Sequence, residues 1–270
     1  MNGDRPQAEI TSSRNRWIKL ARSLHRRRQR YSERAILVEG VRPVREALES
    51  GVTMHVLLLS THVDNLGEAR EIAESAADAG VTVLTVDPRV FQTACDTETP
   101  QGILAICKMP ETQQSPSHAV APLYLITDRV RDPGNLGTLL RSALGAGVNC
   151  VLVGPESADP FAPKVIRAGA GSQFRIPIAF LSWDRCQEWL ENCSIVVADA
   201  AADVSYDEFD WTTAAALVVG NETQGPSDAA ISHADGRVGI PLANSLESLN
   251  AGVAGSVILF EAWRQRRRPR

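Results

Sequence analysis

The 270-residue chain lacks several features that would identify whole classes of protein. It has no apolar run of the roughly 18 residues that a membrane-spanning helix needs, and no apolar segment typical of a secretory signal near its start. Its five cysteines are widely spaced and never form a CxxC pair. Its five histidines never cluster with cysteine or acidic residues at metal-ligand spacing. We therefore expect a cytoplasmic protein with reduced thiols, no membrane association and no bound metal.

Charge is present but unevenly distributed. The formal net charge is −4, yet residues 1–30 carry nine Lys or Arg against two acidic residues, and residues 264–270 contain five Arg. The body between these ends is therefore strongly acidic. Basic termini on an acidic body indicate that the two termini bind a polyanionic partner. An equally weighted alternative is that the charged termini serve only to keep the protein soluble.

The hydrophobic pattern divides the chain into four parts. Residues 1–30 form a basic extension in which positions 10–30 read as one helix, with Ser12 or Ser13 as its cap. Residues 31–108 alternate between strand and helix patterns, which predicts a small α/β domain. Polar and proline-rich residues 109–122 read as a linker.

Residues 123–270 form a second α/β domain with a basic C-terminal tail. Its strands are continuous apolar runs instead of alternating ones, as expected for a parallel sheet covered on both faces. We place the strands at residues 123–127, 150–153, 175–179, 194–199, 215–219 and 237–241. A last helix is predicted from residue 249 to residue 266.

The first candidate functional stretch follows the strand at 123–127. A Pro-Gly turn leads into a helix, with Asn135 at the helix start and Arg141 nearly two turns later. Ligands of open α/β sheets bind outside the carboxyl ends of the strands, where this turn lies. The alternative is that Asn135 only caps the helix and that Arg141 is only solvated. The occurrence of both residues at this loop position favours a functional role for the pair. Gly134 and Gly137 do not complete a GxGxxG motif, which disfavours a dinucleotide-binding oxidoreductase.

The second stretch follows the strand at 215–219. Asn221 and Glu222 come directly after Gly220, and Gly225 follows shortly. A carboxylate at a strand end, between two glycines, suits an acid that orients a partner Arg or a substrate hydroxyl. A turn acid that caps the following helix is the alternative.

The third stretch is the start of the last helix. Ser248 and Asn250 flank Leu249 at the helix entry, where free N–H groups can bind a polar or anionic ligand. Ser248 alone is explained as an N-cap, but Asn250 is not. Gly252 and Gly255 follow, and each costs a helix interior about 1 kcal/mol relative to alanine, so we expect close packing there.

In their order and spacing, these three stretches resemble the motifs of the SpoU/TrmH branch of the SPOUT RNA methyltransferases. The resemblance covers residues 123–265. Residues 34–51 resemble part of the N-terminal substrate-recognition domain of the ribosomal-RNA members, which is similar to a ribosomal protein that binds kink-turned RNA. Asn244 stands where the family often has Gly, and Thr223 and Gln224 replace a pair that commonly contains Gly.

The resemblance implies 2′-O-methylation of an RNA ribose by S-adenosyl-methionine, with large-subunit (23S-type) ribosomal RNA as the substrate. It also implies a deep trefoil knot, an exception to the rule that chains do not thread loops, and a homodimer, with Gly252 and Gly255 shaped for packing at the knot and the dimer interface. Two alternatives stay open: a catalytically silent RNA-binding or ribosome-assembly factor, and a tRNA 2′-O-methyltransferase.

Three sets of site residues are predicted, the first two from the resemblance and the third largely from the basic N-terminal region. The implied catalytic set is Asn135, Arg141, Glu222, Ser248 and Asn250. The implied cofactor contacts are Val219, Gly220, Asn221, Gly225, Ile240, Leu242, Ser248 and Leu249. The predicted RNA contacts are Arg14, Lys19, Arg26, Arg27, Arg28, Arg42, Arg131 and Arg141. Because a guanidinium is normally charged, Arg141 makes a poor general base. We expect it to bind the phosphate beside the target ribose, held in place by Glu222 and Ser248.

Overall fold

A computed structural model describes residues 9–61, 66–244 and 246–267, and the chain divides into two compact units. The first unit contains the described residues up to Pro110 together with Phe161–Phe174, and the second contains Glu111–Pro160 and the residues from Arg175 onward. By its contacts, Phe161–Phe174 packs with the first unit, whereas the division into an extension, two domains and a linker stays a prediction. The predicted basic tail beyond Arg267 lies outside the described residues.

The first unit is built on a four-stranded mixed sheet with strand order β1-β4-β2-β3. Strand β4 pairs antiparallel with β1 and β2, and β3 is parallel to β2. The elements are α1 (Arg16–Ser23), α2 (Arg27–Glu33), β1 (Ala35–Glu39), α3 (Val41–Glu49), β2 (Met54–Ser60), α4 (Leu66–Asp78), β3 (Val83–Val86), α5 (Pro88–Gln92), β4 (Ile103–Lys108) and, from the later segment, α7 (Pro163–Ala168) with a 3-10 turn (Ser172–Phe174).

The basic N-terminal region forms two helices, so the prediction of one helix over 10–30 is wrong. The Asn15 side chain caps α1, not that of Ser12 or Ser13. The Arg30 side chain donates to the Leu24 carbonyl at 2.9 Å, which satisfies a main-chain acceptor at the end of α1. This side-chain hydrogen bond from the second helix therefore stabilises the point at which the first helix ends.

Helix α7 is anchored to the first unit by a buried carboxylate. Glu39, at the end of β1, is only 2% exposed and lies 3.4 Å from the Arg167 guanidinium. Arg167 also contacts Asp96 at 3.3 Å, and the Asp96 main-chain N–H donates to Glu39 at 3.0 Å. A buried carboxylate needs such partners, so Arg167 ties the Phe161–Phe174 segment to this unit.

The second unit contains a six-stranded sheet with strand order β10-β8-β9-β5-β6-β7, in which every neighbouring pair is parallel. Its elements are β5 (Leu123–Thr127), α6 (Pro133–Gly145), β6 (Cys150–Val153), β7 (Ile178–Phe180), a 3-10 turn (Trp183–Arg185), α8 (Cys186–Leu190), β8 (Ser194–Ala198), β9 (Ala215–Val219), α9 (Asp228–His233), β10 (Gly236–Val238) and α10 (Ala251–Arg266). The predicted parallel α/β sheet is confirmed, whereas the knot stays a prediction.

Three predicted strands differ in extent, and the one expected at 194–199 does so only at its end, since β8 ends at Ala198. The strand expected at 175–179 lies at Ile178–Phe180, and the one expected at 237–241 ends at Val238. After Val238 the chain pairs with another segment, because the Gly239 N–H donates to the Val204 carbonyl and the Gly239 carbonyl accepts from the Tyr206 N–H. No helix in the described part of the chain is long and apolar enough to cross a membrane.

Candidate active site

The second unit contains a pocket of about 270 Å³ at the carboxyl ends of three neighbouring strands. Its wall is formed by the ends of β8, β9 and β10 and by the first turns of α10. This is where ligands of parallel sheets bind. All eight predicted cofactor contacts line it: Val219, Gly220, Asn221, Gly225, Ile240, Leu242, Ser248 and Leu249.

The loop after β9 depends on one glycine and one asparagine. A Cβ on Gly220 would lie 2.5 Å from the Pro226 main-chain nitrogen, so no other residue fits there. The Asn221 side chain accepts from the main-chain N–H groups of Thr223 and Gln224, both at 3.0 Å. It therefore shapes the loop, and neither Thr223 nor Gln224 adopts the left-handed conformation that would favour glycine.

The other departure from the family pattern also has a conformational explanation. Asn244 has a φ of 57°, in the left-handed region. Asparagine is the non-glycine residue that tolerates this region best. An asparagine can therefore stand where relatives often have glycine.

A chain of side-chain hydrogen bonds connects three of the predicted catalytic residues. Asn250 caps α10, because its Oδ1 accepts from the Val253 N–H at 3.2 Å. Its Nδ2 must then donate, and it does so to Asn135 Oδ1 at 2.8 Å. Asn135 Nδ2 in turn donates to Glu222 Oε1 at 2.6 Å. The helix N-terminus thus fixes the direction of every bond and presents Glu222 as an acceptor.

The alternatives in which Asn135, Ser248 and Glu222 serve as helix caps are wrong. Asp132, not Asn135, caps α6 by accepting from the Asn135 N–H at 2.8 Å. Ser248 caps no helix, since Asn250 has that role in α10. Glu222 does not cap α9 either, because Ser227 does. The side chains of Asn135, Glu222 and Ser248 are therefore available for the site.

The two helical glycines pack against their own chain. A Cβ on Gly252 would lie 3.3 Å from the Asn135 Cα, and one on Gly255 would lie 2.4 Å from Leu139 Cδ2. Gly255 also approaches Val219, which lines the pocket. Close packing of α10 on α6 and β9 therefore explains both glycines within one subunit.

Arg141 is the predicted catalytic residue that the structure does not bring to the others. It is exposed on α6 and does not line the pocket. It makes no hydrogen bond or ion pair with any residue of the described ranges. If Arg141 takes part in the reaction, it must therefore act together with groups outside this subunit's own pocket.

The predicted RNA contacts are mostly exposed cations. In the first unit Arg14, Lys19, Arg26, Arg27, Arg28 and Arg42 are all exposed, and the Arg27 guanidinium lies 5.4 Å from the centre of the Tyr31 ring. In the second unit Arg131 forms an ion pair with Glu156, and both side chains are 58% exposed. A phosphate at Arg131 would have to compete with that pair. The RNA-binding roles stay predictions.

Sequence reasoning missed Asp199. It follows β8 directly, lines the pocket and lies 3.3 Å from the Arg237 guanidinium. The signal was a carboxylate at the end of an apolar run, as for Glu222. Among the described residues, Asp199 and Glu222 are the charged residues of the pocket wall, and no Lys or Arg joins them. Such a wall fits a cationic ligand and does not fit the pyrophosphate of a dinucleotide.

Comparison with known proteins decides between the remaining interpretations. Residues 122–260 match the model of the SpoU rRNA Methylase family, and residues 15–105 match that of the MRM3-like substrate binding domain. The chain belongs to the SpoU rRNA methylase family. The predicted RNA methyltransferase family is thus confirmed, and the oxidoreductase alternative is wrong. The MRM3-like match begins before α1, so both basic helices fall within it.

Members of the SpoU family resemble this chain over nearly its whole length. The 23S rRNA (guanosine(2553)-2′-O)-methyltransferase RlmP of Bacillus subtilis is 32% identical, covering 93% of this chain and 98% of its own. The crystal structure of an RNA 2′-O ribose methyltransferase is 31% identical with a TM-score of 0.83, covering 96% of this chain and 99% of that one. AviRb from Streptomyces viridochromogenes, solved with AdoMet, is 30% identical with a TM-score of 0.82, covering 94% and 98%.

Proposed function

We propose that this protein transfers a methyl group from S-adenosyl-methionine (AdoMet) to a ribose 2′-hydroxyl of large-subunit ribosomal RNA. The observation that carries the proposal is the hydrogen-bonded chain Asn250–Asn135–Glu222 beside a pocket lined by all eight expected cofactor contacts. The names of the relatives support the reaction and the RNA class.

The pocket suits AdoMet by shape and by charge. Bound AdoMet supplies a methyl group on a positively charged sulfonium, which is already an activated electrophile. Apolar side chains such as Ile240, Leu249 and Ile258 can cover the adenine, and main-chain groups near Gly220 can bind its polar edge. Glu222 favours the positive charge, and Asp199 adds a second carboxylate to the wall although it is paired with Arg237.

Glu222 is the residue best placed to orient the ribose hydroxyl. One of its oxygens accepts from Asn135, and the other makes no hydrogen bond with the residues the structure describes. That second oxygen can accept from the 2′-hydroxyl or from a guanidinium. Methyl transfer depends above all on an in-line approach, so holding this carboxylate in one place contributes directly to the rate.

We place Arg141 in the active site of a homodimer. Helix α10 exposes three large apolar side chains: Val253 is 46% exposed, Phe260 is 45% and Trp263 is 38%. Helix α6, which carries the unpaired Arg141, packs beside it through a Ser142–Ser256 bond of 2.7 Å. Dimerisation through this surface would bury the apolar residues and let Arg141 of the partner subunit reach the pocket.

Mixing two inactive variants tests this arrangement. Arg141→Ala should abolish transfer while AdoMet binding stays largely intact, and Glu222→Gln should also be inactive. If Arg141 acts across the dimer, mixed dimers of the two variants contain one intact site and recover part of the activity. No recovery, with exchange of subunits confirmed by mass spectrometry, would place Arg141 in its own subunit's site. Light scattering gives the oligomeric state, and a monomer contradicts the dimer.

The RNA class is tested by competition. Purified large-subunit rRNA and tRNA are offered together with AdoMet carrying a labelled methyl group, and we expect label in the rRNA. Label in tRNA alone would support the tRNA methyltransferase, and AdoMet binding without label in either would support the silent factor. A cytoplasmic location and the absence of a metal stay predictions.

A further inference from the structure

Arg129 has an unfavourable backbone conformation next to the pocket. It follows β5 and the buried Asp128, and its φ is 58°, in the left-handed region. Glycine adopts this conformation without steric cost, whereas arginine does not. Strain of this kind persists where the surrounding structure uses it, often at a functional site.

Both the backbone and the side chain of Arg129 contact the loop after β9. The Arg129 carbonyl accepts from Asn221 Nδ2 at 3.1 Å, and its Nη2 donates to the Gly225 carbonyl at 3.4 Å. Asn221 and Gly225 are also bonded to each other through their main chains in both directions, at 3.1 and 2.9 Å. Arg129 therefore contacts both ends of a closed five-residue loop.

This loop forms part of the pocket wall and carries Glu222. Its continuation is held from the same strand end, because Asp128 accepts from the N–H of Ser227 at 2.6 Å and from its hydroxyl at 3.0 Å. Arg129 itself does not line the pocket. Its influence on a ligand must therefore pass through the loop.

We propose that Arg129 is a positioning residue that holds the Asn221–Gly225 loop in the shape that binds AdoMet. This inference rests on the proposed function. Glycine at position 129 would give the same backbone path without strain, so the benefit of arginine comes from its side chain. The Nε atom is shielded from solvent and has no partner within the described ranges. A shielded side chain is better suited to hold the loop in place than to contact an RNA phosphate.

Arg129→Gly separates this role from a merely structural one. The change relieves the strain, so the thermal midpoint without ligand should stay the same or rise. It also removes the guanidinium bond, so the Kd for AdoMet measured by calorimetry should rise about fivefold, as expected for one lost hydrogen bond. The KM for RNA should change less than the KM for AdoMet.

Arg34→Gly is the matched control. Arg34 is another arginine in the left-handed region, with a φ of 50°, but it is exposed and ends α2 in the first unit. Its replacement should relieve the same strain and leave the AdoMet Kd unchanged. Arg129→Gln keeps the strain and loses the guanidinium, so it should weaken AdoMet binding as Arg129→Gly does. If the glycine variant does not fold, the glutamine variant alone tests the role of the guanidinium.

The outcomes are distinct. An unchanged AdoMet Kd in both Arg129 variants overturns the inference. A flatter salt dependence of RNA binding with unchanged AdoMet affinity also overturns it and makes Arg129 a phosphate contact. Failure of the wild-type protein to bind AdoMet overturns the proposed function itself, and this inference with it.

Discussion

Replacing Gly255 by alanine tests how closely α10 packs behind the pocket. The new Cβ would lie 2.4 Å from Leu139 Cδ2 and 2.9 Å from Val219 Cγ2, and both neighbours are buried. Overpacking of this kind costs roughly 1–3 kcal/mol, whereas alanine gains about 1 kcal/mol over glycine in a helix. We therefore expect a net loss of about 1 kcal/mol, seen as a thermal midpoint about 2–4 °C lower.

The same substitution should weaken AdoMet binding, because the displaced Val219 lines the pocket. Gly67→Ala provides the matched control. Gly67 lies in α4, and a Cβ there would meet nothing within 4 Å, so that variant should gain up to about 1 kcal/mol. Calorimetric unfolding and AdoMet titration of both variants give the comparison. A Gly255→Ala protein as stable as wild type, with unchanged AdoMet affinity, would refute the packing argument.

Three further changes have defined outcomes. Asn250→Asp keeps a cap acceptor but cannot donate to Asn135, so the rate of methyl transfer should fall at least about tenfold while the fold survives; an unchanged rate would show the bond is not needed. Arg167→Ala leaves the buried Glu39 without its cation, so unfolding should cost about 1 kcal/mol less, with AdoMet affinity unaffected; calorimetry reads both. Burial raises the pKa of Cys107 to about 12 and closes the thiol to solvent, so iodoacetamide at pH 8 should leave it unmodified in the native protein and label it after unfolding, as mass spectrometry would show.

The second-unit sheet was predictable because its strands are buried on both faces. Segments such as Ala215–Val219 are continuous apolar runs, a pattern that few other structures require. Glu222 stood out because glycines flank it after such a run. Asp199 also follows an apolar strand, but alanines follow it, so it lacks the flanking glycines that marked Glu222 as a candidate.

Helix caps and unit boundaries were less predictable, for physical reasons. Several residues near each helix start can act as caps, and tertiary contacts choose among them, as for Asn15 and Asp132. Periodicity shows that α7 has a buried face but not which core covers it. The ion pair between Arg167 and Glu39 joins residues far apart in sequence, and only the fold reveals it.

The central claim is tested most directly by incubating the purified protein with unmodified large-subunit rRNA and AdoMet and then mapping ribose methylation by nuclease digestion and mass spectrometry. The account predicts one 2′-O-methylated nucleotide, formed in near-stoichiometric amount by the wild-type protein and absent with Arg141→Ala. A methyl group on a base, or no methylated nucleotide although AdoMet binds, would contradict it.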